Sequence, residues 1–94
     1  MLIRWSPEAA ESFEAIYEYL TDDNPKAAQR VALHIYEAAS SLANHPSRGR
    51  VGRMDGTREL VLAPLPYLIV YRVNQIAVEI VRVVHGAQAW PPLG

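Results

Sequence analysis

The sequence predicts an α+β fold in which a two-helix hairpin packs on one antiparallel sheet. Apolar side chains recur every three or four residues between residues 7 and 44, a spacing typical of two amphipathic helices. Three β-rich runs follow between residues 57 and 84, and one short apolar run precedes the helices. The predicted order is strand, helix, helix and a three-stranded meander that forms one sheet. The chain has 94 residues, 50% of them hydrophobic, which is enough for one core, so we expect a single domain over residues 1–94.

The first strand and the first helix meet at Ser6 and Pro7. Residues 2–5 form the short apolar run, which predicts a strand. Ser6 can cap a helix, and Pro7 suits the first helical turn because that turn needs no N–H from it. Glutamates follow on the opposite side of the helix from its apolar stripe. The stripe predicted to be buried contains Ala9, Phe13, Ile16, Tyr17 and Leu20.

A second helix starts directly after the first. Asn24 is the predicted cap and Pro25 the first helical residue. The helix should end near Asn44, because His45 precedes Pro46 and the residue before a proline disfavours helical geometry. Its predicted buried stripe contains Ala28, Val31, Ala32, Ile35, Ala39 and Leu42.

Residues 45–56 contain three glycines and three arginines, a composition that predicts a connection without regular structure. This stretch is the most basic part of the chain. It lacks the Gly-Lys-Ser/Thr ending of a phosphate-binding P-loop and does not follow a strand. The arginines therefore have two open roles: internal pairing with neighbouring carboxylates, or contact with the carboxylates of a partner.

The three β-rich runs cover residues 57–62, 66–73 and 76–84. Asn74 and Gln75 predict a two-residue turn, which places Val73 opposite Ile76. In this register the helix-facing side contains Arg58, Leu60, Leu62, Tyr67, Ile69, Tyr71, Val78, Ile80 and Arg82. The open side contains Glu59, Val61, Leu68, Val70, Arg72, Glu79, Val81, Val83 and His85. A slip of one residue would exchange the two faces.

The predicted open side has few polar groups that could take part in catalysis. Arg72 is expected between Glu79 and Glu59 in a row of paired charges. His85 is the candidate general base, because histidine is the residue type most often used for proton transfer near neutral pH. In the tail, Trp90 is expected to fold back as an anchor; an exposed Trp90 would instead be a contact for a partner.

Composition excludes several classes of protein. Cysteine is absent, so there is no disulfide framework or thiolate metal site, and we expect no metal and no cofactor. No apolar run is long enough to span a membrane, and the first residues lack a signal-peptide core, so we expect a cytoplasmic protein. The net charge of −1 argues against direct nucleic-acid binding. This net charge is the sum of an acidic first half of the chain and a basic, arginine-rich second half.

Several segments together resemble the ParE/RelE toxin superfamily. They are the helical hairpin ended by His45-Pro46, then GTRELV at 56–61, PYLIVYRV at 66–73 and VEIVRVVHG at 78–86. The resemblance covers essentially the whole chain in the same order. It implies the toxin half of a type II toxin–antitoxin pair, wrapped by the C-terminal segment of a cognate antitoxin in a hetero-oligomer.

Two branches of the superfamily imply different targets. RelE-like members cleave ribosome-bound mRNA, with lysines and arginine on the open sheet face and an arginine and a tyrosine in the C-terminal segment. The matching sheet positions in this sequence are Glu59, Val61 and Leu68, and the tail offers Gln88 and no tyrosine. The resemblance therefore favours the ParE-like branch, known for poisoning DNA gyrase. A nuclease is the alternative, and it would depend on His85, Arg58 and Arg82.

The expected contacts follow from the arginine-rich second half. We expect acidic side chains of the antitoxin to meet Arg48, Arg50, Arg53 or Arg58. The target-binding candidates are Arg72, His85 and Trp90. A degenerate toxin that only binds its antitoxin is a third possibility.

Overall fold

The structure, a computed structural model, describes residues 1–92. Its elements are β1 (Leu2–Trp5), α1 (Pro7–Asp23), α2 (Pro25–Ser41), β2 (Arg50–Val51), β3 (Arg58–Val61), β4 (Tyr67–Val73) and β5 (Ala77–His85). The sheet order is β1-β5-β4-β3-β2. The predicted α+β class is confirmed. The last two residues of the predicted tail, Leu93 and Gly94, lie outside the described residues.

Two details of the sheet differ from the prediction. The connection predicted to be irregular contains the two-residue strand β2, which pairs with β3 at Arg50 and Val51 and makes the sheet five-stranded. In addition, β1 pairs with β5 in parallel, whereas the other neighbours are antiparallel. The parallel pairing follows because the helical hairpin carries the chain from β1 to the opposite edge of the sheet, and the antiparallel strands then lead back to β1.

Both helices begin as predicted. The Ser6 Oγ accepts a hydrogen bond from the Ala9 N–H at 3.0 Å, and the Asn24 Oδ1 accepts one from the Ala27 N–H at 3.1 Å. Each bond satisfies an N–H that the first helical turn leaves unpaired. Neither described helix has the length and apolar character needed to cross a membrane.

The helices cover one face of the sheet and form the main core with it. Ile35 and Ala39 of α2 and Leu42, which directly follows the helix, are fully buried, as the predicted stripe requires. In α1, Ala9 is buried, whereas the predicted core residue Tyr17 is 36% exposed. The sheet contributes Leu60, Leu62, Tyr67, Ile69, Tyr71, Val78, Ile80 and Val83 to this core.

The turn between β4 and β5 is wider than predicted. The Asn74 N–H donates to the Ala77 carbonyl at 3.0 Å, and the Asn74 Oδ1 accepts from the N–H groups of Ile76 and Ala77 at 3.0 and 2.8 Å. Because the asparagine side chain satisfies these groups, the strands close at Val73 opposite Val78. The predicted pairing of Val73 with Ile76 is therefore wrong.

A β-bulge in β5 changes which face its last residues occupy. The register shifts between Val70 and Tyr71 of β4, where Tyr71 lies opposite Ile80 and Val70 opposite Arg82. One extra residue in a strand rotates everything beyond it to the other face. Two predictions are corrected by this shift. Val83 and His85 join the helix-covered face, and Arg82 joins the open face.

A smaller apolar cluster covers the other face of the sheet. It consists of Leu68, Val70, Val84 and Trp90, with Met54 and Val81 packed against it. Trp90 is 8% exposed, so the expectation that the tail folds back as an anchor is confirmed. The loop before β3 and the tail after β5 therefore shield much of the face that the helices leave open.

Beyond the end of β1, the outer edge of β5 pairs with side chains and not with another strand. The Ser6 Oγ donates to the Val81 carbonyl at 2.9 Å, and the Ser12 Oγ accepts from the Val83 N–H at 3.0 Å. Farther along, the Gln88 Oε1 accepts from the His85 N–H at 2.8 Å. These bonds occupy groups that an added strand would need for pairing.

Candidate partner-binding site

The glycine- and arginine-rich loop is held against the sheet by a buried tyrosine. The Tyr71 hydroxyl accepts a hydrogen bond from the Gly49 N–H at 2.8 Å and donates to the Pro46 carbonyl at 2.7 Å. Position 49 has no room for a side chain, because a Cβ there would lie 2.7 Å from the Tyr71 hydroxyl oxygen. The glycine thus allows the loop backbone to approach the sheet.

Glu59 holds the next part of the loop. Its side chain is 1% exposed and receives four hydrogen bonds. Arg50 Nη2 lies 3.0 Å from Oε1, and Arg53 contributes Nε to Oε2 at 3.2 Å and Nη2 to Oε1 at 3.2 Å. The Arg53 backbone N–H adds a bond to Oε2 at 3.0 Å. The arrangement is a bidentate arginine–carboxylate pair reinforced by a second arginine.

The charge state of Glu59 follows from these contacts. Burial alone would raise the pKa of its carboxyl group, but the hydrogen bonds from Arg53 and Arg50 outweigh burial. Together they lower the pKa from 4.5 to about 2. Glu59 is therefore an ionised structural anchor at neutral pH.

All four arginines predicted to bind the antitoxin also contact their own chain. Arg58 Nη1 donates to the Gly49 carbonyl at 2.8 Å and to the Ser47 carbonyl at 3.4 Å. Arg48 Nη1 donates to the Ser41 hydroxyl at 2.9 Å. The side chains of Arg50 and Arg53 remain 59% and 51% exposed despite their bonds to Glu59. The loop thus presents half-exposed guanidinium groups on a fixed backbone.

The predicted charge row around Arg72 does not form. Arg72 lies directly opposite Glu79 and is exposed. The Glu79 Oε1 accepts instead from Asn74 Nδ2 at 2.8 Å, and Glu59 is bound by the loop arginines. The loop folds back over β3 and brings its arginines to Glu59. The sequence pattern gives no signal for this long-range contact.

The three residues of the nuclease alternative are not brought together. Arg58 lies opposite Tyr71 and His85 opposite Tyr67, so about 13 Å of strand separates their positions along β4. Arg82 and His85 occupy opposite faces of β5. The His85 Nδ1 accepts from the Ala87 N–H at 3.0 Å, and its ring packs edge-on against Tyr67 at 5.3 Å between centroids.

Arg82 contacts Trp90 on the open face, a contact that the predicted register had excluded. Its guanidinium carbon lies 5.4 Å from the centre of the indole, a cation–π distance. Within residues 1–92, Arg82 Nε and Trp90 Nε1 are buried without a hydrogen-bond partner. The target-binding candidate Trp90 is thus buried beneath the surface and positions Arg82.

A cleft of about 600 Å³ lies between α1 and the second half of β5. Ile16, Leu20 and Val83 form part of its apolar lining, and Arg82, His85 and Gln88 contribute polar groups. Burial, together with the nearby Tyr19, raises the pKa of Tyr67 in the same cleft. Across the described part of the chain, no group of three His, Asp or Glu side chains is arranged to bind a metal ion.

Comparison with known proteins decides the family. Residues 3–90 match the family described as ParE toxin of type II toxin-antitoxin system, parDE. The chain belongs to the ParE toxin family. It is thus a type II toxin of the ParE/RelE superfamily, as the resemblance implied.

Proteins similar to this ParE-family toxin include one named for RelE and one from a ParDE system. This toxin is 46% identical over 89 residues to the putative toxin Y4kP of Sinorhizobium fredii, covering 95% of this chain and 92% of that protein. It is 44% identical over 84 residues to toxin RelE2 of Caulobacter vibrioides, covering 89% and 93%. A solved structure of the chromosomal ParDE system from P. aeruginosa contains a chain with a TM-score of 0.81 and 26% identity, covering 90% of this chain and 95% of that one.

Replacing Tyr71 by Phe tests whether its hydroxyl holds the loop. The change leaves the buried Gly49 N–H without its partner, so we expect a loss of about 1–3 kcal/mol in the free energy of unfolding. Urea denaturation measures this loss. Tyr36→Phe is the matched control, because Tyr36 is 55% exposed on α2 and should tolerate the change. Equal stability of the two variants would contradict the role given to Tyr71.

Replacing Glu59 by Gln tests the ionised anchor through its pH dependence. The folded pKa lies below the unfolded value, so the stabilisation is complete above pH 4.5 and is lost as pH falls towards about 2. The wild type should exceed E59Q in stability by on the order of 3 kcal/mol at pH 7, and the gap should close at low pH. Thermal unfolding between pH 7 and pH 2 measures the gap. A gap independent of pH would contradict the assignment.

Proposed function

We propose that this toxin inhibits growth in the cytoplasm by binding DNA gyrase and that a cognate antitoxin neutralises it in a hetero-oligomeric complex. One observation supports gyrase over mRNA as the target. The open sheet face bears an apolar cluster and internally bonded arginines, and within residues 1–92 it brings together no group for breaking a phosphodiester bond.

Cleavage of RNA at the ribose 2′-hydroxyl needs a proton acceptor and a cation close to the same phosphate. The candidate acceptor, His85, lies at the far end of β4 from Arg58. The Arg58 guanidinium donates to two loop carbonyls, and Arg82 stacks on Trp90. This separation leaves protein binding as the function that the geometry supports best.

A RelE-like, ribosome-dependent mRNA endonuclease is the second candidate. It is favoured by the names of two relatives in Caulobacter vibrioides, toxins RelE2 and RelE1, at 44% and 31% identity. Such an enzyme would use His85 with Arg58 or Arg82 after a rearrangement on the ribosome. We propose no cofactor for either function.

The proposed contacts with the antitoxin and with the target use different surface side chains. For the antitoxin, the half-exposed guanidinium groups of Arg50 and Arg53 and the exposed Arg48 offer donors to carboxylates, with Arg58 behind them. For the target, Arg72 is exposed near the end of β4. His85 is half-buried, and Trp90 acts indirectly by fixing Arg82.

The choice of target is tested with the purified toxin in two assays. We expect inhibition of gyrase supercoiling and no cleavage of mRNA in a translating extract, because His85 and the arginines of the described part of the chain do not converge on one phosphate. Induction in cells should likewise cause a DNA-damage response before any loss of mRNA. Cleavage within translating ribosomes that His85→Ala abolishes would contradict the proposal. An absence of toxicity on induction would instead indicate a degenerate toxin.

Replacing Arg48 by Ala tests the antitoxin contact without disturbing Glu59. Arg48 is exposed and its side-chain bond is to the Ser41 hydroxyl, so the loop should keep its structure. We expect the antitoxin affinity to fall about threefold to tenfold, as for loss of one charged contact. Isothermal titration calorimetry measures it. Arg72→Ala is the control for the loss of an exposed arginine elsewhere, and an equal effect of both variants would reject this placement.

A further inference from the structure

The outward face of α2 carries large apolar side chains that the rest of the chain leaves uncovered. Leu33 and Tyr36 are 57% and 55% exposed, although both lie in the middle of the helix. The helix packs into the core through its opposite side, which contains the fully buried Ile35 and Ala39. Because apolar side chains gain free energy when they leave water, Leu33 and Tyr36 form a small surface that a partner can cover.

Two opposite charges flank Leu33 on this face. Arg30 and Glu37 are both exposed, and they lie three residues before Leu33 and four residues after it. Residues at these spacings share one side of an α-helix. The rise of an α-helix places Arg30 and Glu37 about 10 Å apart along the axis, with Leu33 near the midpoint. The order along the face is therefore cation, apolar residue, anion.

Neither charge is compensated by its own helix. Side chains pair along a helix at spacings of three or four residues, and no acidic residue stands at these distances from Arg30. Lys26, one turn before Arg30, adds a like charge instead. Glu37 is the only acidic residue of α2 and has no lysine or arginine at these distances. Within residues 1–92, neither Arg30 nor Glu37 takes part in an ion pair, so both charges are available to a partner.

This pattern is complementary to itself when two copies of α2 run antiparallel. Around a two-fold axis near Leu33, Arg30 of each copy lies opposite Glu37 of the other, and the two Leu33 side chains meet between these pairs. Parallel copies would instead place Arg30 against Arg30 and Glu37 against Glu37, which costs free energy. The charges therefore select a second copy of this chain in the antiparallel orientation.

We propose that this toxin forms a homodimer through α2, held by two symmetric ion pairs between Arg30 and Glu37 around Leu33. The inference goes beyond the proposed function and does not depend on the choice of target. Since each copy contributes one helix face, the interface is small and we expect a weak dimer. The helices and the open face lie on opposite sides of the sheet, so dimerisation leaves both open faces accessible.

The test measures the dimer dissociation constant of the purified toxin by sedimentation velocity over a range of concentrations. Arg30→Glu and Glu37→Arg each bring like charges opposite one another, so each should weaken dimerisation at least about tenfold. Arg72→Glu and Asp55→Arg are the matched controls, because they make the same changes of charge at exposed positions outside the helices. Each control should change the constant less than about twofold.

The double variant R30E/E37R tests the pairing itself. It again places opposite charges at both contacts, so its dissociation constant should return to within about threefold of the wild-type value. An equimolar mixture of the two single variants should likewise form heterodimers, because one face then carries two acids and the other two arginines. All of these positions are exposed, and should a single variant melt at a lower temperature, the double variant decides the question.

Three results would overturn the proposal. The first is a wild-type toxin that stays monomeric at every concentration. The second is a dimer that R30E and E37R weaken no more than the controls do, which would place the interface elsewhere. The third is a loss of dimer in both single variants that the double variant and the mixture fail to reverse. If the toxin is monomeric and R30E weakens antitoxin binding in calorimetry, this face of α2 belongs to the antitoxin and the proposal also fails.

Discussion

The burial of one carboxylate organises the loop that we propose as the antitoxin-binding surface. Glu59 lies on β3 with 1% of its side chain exposed, and two arginines and a backbone N–H compensate its charge. An uncompensated carboxylate in this position would destabilise the fold, so the loop must bring Arg50 and Arg53 to it. With the Tyr71 hydroxyl holding Gly49, these bonds turn a glycine-rich connection into a fixed surface.

The same bonds limit the chemistry available to the toxin. The arginines that neutralise Glu59 or bind loop carbonyls have part of their donors committed within the chain, and Trp90 with Met54 covers part of the open sheet face with apolar atoms. Arg82 differs because its buried Nε has no acceptor within residues 1–92. The molecule therefore has a fixed arginine-bearing loop and an arginine stacked on Trp90, and these contacts support the proposal of protein binding.

Local features of the fold were predictable from the sequence and non-local ones were not. The caps at Ser6 and Asn24 depend on neighbouring residues, so the helix starts agree with the structure. The wider Asn74 turn shifts the register of β5 by two residues and keeps its faces, whereas the bulge exchanges them. A bulge has no periodic signal, so Arg82 and His85 were assigned to the wrong faces. The partners of Glu59 come from a loop whose composition indicates only irregular structure.

A double-mutant cycle between Arg53 and Glu59 tests most directly whether the buried ion pair fixes the loop. The free energies of unfolding of the wild type, R53A, E59Q and the double variant give the coupling energy at pH 7. We expect a coupling of at least about 1 kcal/mol, because the bidentate pair is formed with a carboxylate that is almost fully buried. Additive effects of the two substitutions would show that the pair contributes nothing of its own and would contradict the role given to Glu59.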